Sequence, residues 1–271
     1  MCVDIGLDTQ EDMHQLVQIL AVVGRMADLC DKLPSDPALL DQPASDLKRL
    51  IGALPEPQVD PRLTILQGLG LARGTLGLVR NIFLNNSPAI TPSVLPVLLR
   101  SALLGAGRVL YMLGPEDEAE RTANTIVVLK QEADSYYRAY TQFADFERFQ
   151  ALIPPAETIA VYERRRADLM RDGRPPGEAK TLDSMAEVIG RMLAQTGSAM
   201  PNQELDDLAT VIREHVRWMF NIYSGVAHGL AWPWLVPHTE SLPGHFIAEF
   251  TTAANVAHLA ADITLSRAGI V

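Results

Sequence analysis

The chain has 271 residues, 48% of them hydrophobic and 21% charged, and a formal charge of −10. That composition excludes wholesale disorder, and its acidity argues against broad binding to a phosphate backbone, so DNA is not expected as a partner. The length allows one large domain or two closely packed ones.

In chain order, the acidic N-terminus shows no basic segment followed by an apolar one, so no signal peptide is expected and a cytoplasmic location is. Asp8, with Glu11 three residues later, predicts a helix over 9–31, where Leu16, Ile19, Leu20, Val23 and Met26 recur at helical spacing. Cys30 reads as a small apolar residue on that helix. The other cysteine, Cys2, forms no CxxC or Cys/His cluster with it, so no metal and no cofactor are expected. Asp36-Pro37, Asp60-Pro61, Ser87-Pro88 and Thr91-Pro92 each put a capping oxygen before a proline that loses no helical bond. They predict helices over 37–53, 61–85 and 92–113, and the pattern continues over 116–151, 156–172, 181–197, 203–231 and 244–267.

Sustained two-residue alternation and hairpin dipeptides are missing, so the expected fold is an all-α bundle of about eight or nine helices. The apolar stretch 64–84 is interrupted by Arg73 and Arg80 and does not read as a membrane span. The segment 171–180, with Gly173 and Pro175-Pro176, reads as the clearest loop. A helical region over 1–85 followed by a bundle over 86–271, or one continuous domain, is expected.

Most familiar motifs fail. Gly68, Gly70 and Gly74 follow no strand and have the wrong spacing for a dinucleotide loop; those at 70 and 74 read as permitting close helix packing. A P-loop, a nucleophile elbow and an HExxH pair are all missing. Arg164, Arg165, Arg166, Arg171 and Arg174 are interleaved with Glu163, Asp168 and Asp172. This reads as a solvated helix face, or alternatively as a phosphate-binding edge. His258 and Asp262, four apart, read as a surface pair.

The strongest candidate lies near the end of the 203–231 helix. Leu208, Val211 or Ile212, Val216, Met219 and Tyr223 mark its buried face, while Arg217, Asn221, Ser224 and His228 follow at offsets of four, three and four. A cation, an amide, a hydroxyl and an imidazole along one stripe are suited to orienting and protonating an anionic or phosphorylated ligand. Tyr223, Trp232 and Trp234 are candidates for the ligand-facing wall. The bland alternative is a helix–helix interface, with small residues at 224, 225, 227 and 229.

Two segments resemble a family. Leu98 to Arg121 is similar to an arginine-led helix of bacterial helical proteins of the HEPN-like group, and Asn221 to Gly229 looks like their Ser-x-x-x-His-Gly signature. The resemblance spans about 130 residues, Leu98 to Trp234. It implies a homodimeric helical domain of the toxin and defence type, with a ribonuclease site in which an arginine binds phosphate and a histidine does acid–base work. His228 matches that histidine. Asn221 stands in the arginine's position, and Arg217 is the nearest arginine on the same face. Leu104 stands where many members carry glutamate. These departures imply an altered or degenerate site, with His228, Asn221 and Ser224 as the catalytic candidates. The alternative from the residues alone is a helical small-molecule-binding or biosynthetic accessory protein using the same polar face.

Overall fold

The computed structural model describes residues 10–57, 59–85, 94–143, 148, 153–196, 205–228 and 242–270. Among these the regular elements are all helical: α1 (Gln10–Asp31), a 3-10 turn (Pro37–Leu39), α2 (Asp46–Ala53), α3 (Pro61–Leu84), α4 (Val94–Leu113), α5 (Glu118–Phe143), α6 (Ala156–Leu169), α7 (Glu178–Gln195), α8 (Leu205–Ala227) and α9 (Leu242–Ala268). The chain is therefore an all-α bundle.

The expected helix over 37–53 is instead two elements. Asp36 accepts the Ala38 amide at 2.9 Å as the proline pattern implies, but it opens only the 3-10 turn. Ala44 then takes a positive φ of 65°, and Ser45 starts α2 afresh by accepting the Lys48 amide at 3.1 Å. A cap pair marks a start and carries no information about length. Asp60 does cap a long helix, accepting the Arg62 amide at 2.9 Å. Gly173 adopts φ 109° after α6, and α7 begins at 178, three residues before its expected start. The Ser87-Pro88 and Thr91-Pro92 starts lie outside the described residues, as does Asp8.

One main core collects buried side chains from every helix except α6, from Leu16 to Ala268. Each fully buried leucine in it, such as Leu69 or Leu103, contributes about 2 kcal/mol of transfer free energy. At its centre lies α4, packed against α3, α5, α7, α8 and α9. It is long and apolar enough to cross a bilayer, and its buried residues show why: five neighbours cover it. A smaller cluster of Leu129, Ala133 and Leu169 joins α5 to α6.

Glycine sets how closely these helices approach, although not at positions 70 and 74, which meet nothing within 4 Å. The contact is between Gly68 of α3 and Gly105 of α4, where a side chain on either would strike the other's carbonyl oxygen. Gly107 similarly seats Met185 and Ile189 of α7, and Gly190 of α7 lies against the backbone of Ala209 in α8.

Candidate functional site

The stripe on α8 is divided between solvent and core. Leu208, Val216, Met219, Phe220 and Tyr223 are buried, Ile212 packs partly against them and Val211 is exposed. Arg217, Asn221 and His228 are exposed and Ser224 is half-buried. Arg217 is engaged by Asp183 of α7, Nε to Oδ1 2.7 Å. Trp232 and Trp234 lie outside the described residues, so the aromatic wall does too. Tyr223 points the other way from the stripe: it is 3% exposed, and its hydroxyl donates to Oε2 of Glu249 in α9.

Glu249 was not singled out from the sequence, because one glutamate in an apolar helix gives no spacing signal. It is 3% exposed, and burial pushes its carboxyl up to about 8. His258, expected at the surface, is half-buried. Burial, followed by the positive charge of Arg25, holds its imidazole below the usual range, and nearby Asp262 opposes this.

A different set of residues forms a cleft of about 860 Å³. Its floor is one face of α4, with Arg100, Leu104 and Arg108 at successive offsets of four and Gly105 beside them. One wall is Thr64, Gln67, Gly68 and Leu71 of α3; the other is Gln131, Asp134, Ser135 and Arg138 of α5. Each set has the three-and-four spacing of a single helix face. The 174–177 loop and the first two turns of α7, through Met185, close one end. Two side chains of α5 fix that end: Lys130 Nζ donates to the Gly173 carbonyl at 2.7 Å, and Gln131 to Thr181 Oγ1 at 2.7 Å.

The fold explains why the cleft is there. Gly68 and Gly105 bring α3 and α4 into backbone contact, which removes side-chain bulk from the crossing and leaves a trough above it.

Four arginines line this trough in a chain of net charge −10. Arg108 is neutralised by Glu132 at 2.8 Å, and Asp134 is taken by Arg166. Arg100 is only 18% exposed at its side chain, and its one carboxylate partner among the described residues, Glu178, is 3.9 Å away and 79% exposed. Its Nε is buried without a hydrogen-bond partner among the described residues, as is Thr64 Oγ1 across the cleft floor. Among the described residues Arg138 reaches only the main-chain oxygen of Asp134, at 3.3 Å. Arg174, at the rim, is exposed. Four arginines against three carboxylates, Glu132, Asp134 and Glu178, with Asp134 already taken by Arg166, leave the cleft an excess of positive charge beside orphaned donors, which equips it to receive an anion.

The arginine run of α6 resolves into two kinds of residue. Arg165 pairs with Glu56, Arg171 with Asp168 at 2.7 Å, and Arg166 with Asp134 while lying 4.3 Å over the Tyr137 ring. Those belong to paired surface contacts, whereas Arg174 belongs to the cleft. The chain matches no family model, no curated protein and no solved structure.

Proposed function

We propose that this protein binds a small organic anion in the cleft between α3, α4, α5 and the start of α7. The observation that carries the reading is Arg100, mostly withdrawn from solvent, with an Nε that meets no hydrogen-bond partner among the described residues and only the exposed Glu178, 3.9 Å away, as a carboxylate partner. A largely buried cation is costly unless closely paired, and a ligand anion would supply a closer pairing than the exposed Glu178 does. The cleft's size falls in the range of small-molecule sites, on the order of 300–1,000 Å³. Aliphatic side chains such as Leu71, Leu104 and Met185 give it the mixed character of such sites.

A thermal-shift panel of pyrophosphate, citrate and neutral polyols tests the reading, because a ligand that binds only the folded state raises the melting temperature. The anions should stabilise the wild type and lose that effect in Arg100→Gln. Equal stabilisation of both proteins would remove the cleft as the site.

A second reading keeps the HEPN-like resemblance: a homodimer whose α8 face, with Asn221, Ser224 and His228, handles RNA. What favours it is the exposure of Asn221 and His228 on one face of α8. Against it, Arg217 is engaged by Asp183. Incubation with mixed RNA separates the readings, since cleavage lost in His228→Ala supports the second and indifference to His228→Ala sinks it.

A further inference from the structure

We propose that the cleft's ligand is a soluble phosphate monoester with an aliphatic body. The inference rests on the anion-binding reading and adds the ligand's chemistry. Three features of the cleft point to it, namely its charge, its donors and its apolar surface.

Charge comes first. Arg100, Arg138 and Arg174 come from α4, α5 and the loop before α7; among the described residues Arg138 and Arg174 have no carboxylate partner, and Arg100 has only the exposed Glu178 at 3.9 Å. A monocarboxylate brings one negative charge and would leave one of the two unpaired guanidiniums uncompensated. A phosphate monoester brings about −1.5 to −2 at neutral pH, with three terminal oxygens for guanidinium forks.

The donors agree. Thr64 Oγ1 and Arg100 Nε are both buried atoms without partners among the described residues, one on each of the two helices that cross at Gly68 and Gly105. A hydroxyl on one side and a planar fork on the other suit a tetrahedral group with several acceptors better than a planar one with two. The first turn of α7 adds to this, since Gly177 provides no side-chain cap for its amides.

The rest of the lining sets the body of the ligand. Leu63, Leu71, Leu104, Leu182 and Met185 are aliphatic, and Leu104 sits between Arg100 and Arg108 on the floor. Among the described residues lining the cleft there is no aromatic ring, and hence no platform on which a nucleobase would stack. The cleft's about 860 Å³ leaves room for an alkyl chain beyond the phosphate.

Calorimetric titration of hexyl phosphate, hexanoate and inorganic phosphate into the intact chain tests the inference. Hexyl phosphate should bind about tenfold or more tightly than either of the others, the scale of one charge-assisted contact or a few buried methylenes. Arg100→Gln and the exposed Arg138→Gln should each weaken it by about tenfold, and the latter keeps the test valid should the former not fold. Arg73→Gln, whose side chain pairs with Asp31 outside the cleft, should leave it unchanged. Leu104→Asn should weaken hexyl phosphate and spare inorganic phosphate. Hexanoate binding as tightly as hexyl phosphate would overturn the phosphate assignment while leaving an anion site in place. Inorganic phosphate binding as tightly would overturn the aliphatic body. Co-flotation with phosphatidic acid vesicles, lost in Arg100→Gln, would overturn the soluble source. Failure of all three probes, together with a flat thermal-shift panel, would remove the anion reading itself.

Discussion

Gly68 and Gly105 touch backbone to backbone: a Cβ on Gly68 would lie 2.7 Å from the Gly105 oxygen, and one on Gly105 2.5 Å from the Gly68 oxygen. Both distances are below any real contact, and the obstacle in each case is main chain rather than a side chain that could swing aside. Gly68→Ala should therefore force α3 and α4 apart and cost about 1–3 kcal/mol by overpacking. Gly70→Ala, with nothing within 4 Å, should be neutral or mildly stabilising, because alanine is the better helix former. Chemical denaturation of the two variants checks this. Equal stability would mean that the crossing is looser than described.

The same crossing shows what the sequence could and could not reveal. The helices were readable because apolar spacing and capping pairs are local, as at Asp60-Pro61 and in Leu16 to Met26. The glycine run 68–74 was readable as packing, but not which glycine packs, since that depends on the facing helix. The α8 stripe was visible because its polar residues lie on one helix. The cleft was not, because Arg100, Arg138 and Arg174 come from three separate elements that only tertiary packing brings together. Glu249 was hidden for the opposite reason, as a single residue with no pattern around it.

Glu249 predicts a pH dependence of stability. Its carboxyl, ordinarily near 4.5, is held up to about 8 by burial. The folded state thus binds a proton that the unfolded state has released, and stability declines as pH rises from about 4.5 to about 8. Each pKa unit is worth about 1.4 kcal/mol, so the effect amounts to several kcal/mol at most. Glu249→Gln keeps a neutral partner for the Tyr223 hydroxyl. Its melting temperature should exceed that of the wild type at pH 8 and converge with it near pH 4. Parallel melting curves across that range would contradict a buried, proton-holding glutamate.

Arg121 works on the turn between α4 and α5. It is 5% exposed, and its Nη1 donates to the carbonyls of Pro115 and Glu116, both at 2.7 Å. Arg121→Met should leave those carbonyls short of donors and destabilise the fold by about 1–3 kcal/mol. Anion binding should be retained wherever the variant is folded. Loss of binding with unchanged stability would place Arg121 in the site instead.

Leu104 offers a test by occupation. It stands four residues from both Arg100 and Arg108 on the cleft floor. Leu104→Glu would place a carboxylate between the two guanidiniums and add i,i+4 pairs worth about 0.2–0.5 kcal/mol each. Circular dichroism should show the helices intact, and calorimetry should show anion binding lost. Retained binding would mean that the anion sits elsewhere.

The most direct test of the account watches the guanidinium it depends on. In a two-dimensional ¹⁵N–¹H spectrum of arginine Nε–H groups, titration with pyrophosphate should move the Arg100 signal saturably, with Arg138 and Arg174 following. That is the result expected if the cleft is the binding site. A spectrum in which Arg100 stays fixed, or in which the Arg217 signal on α8 moves instead, would contradict it.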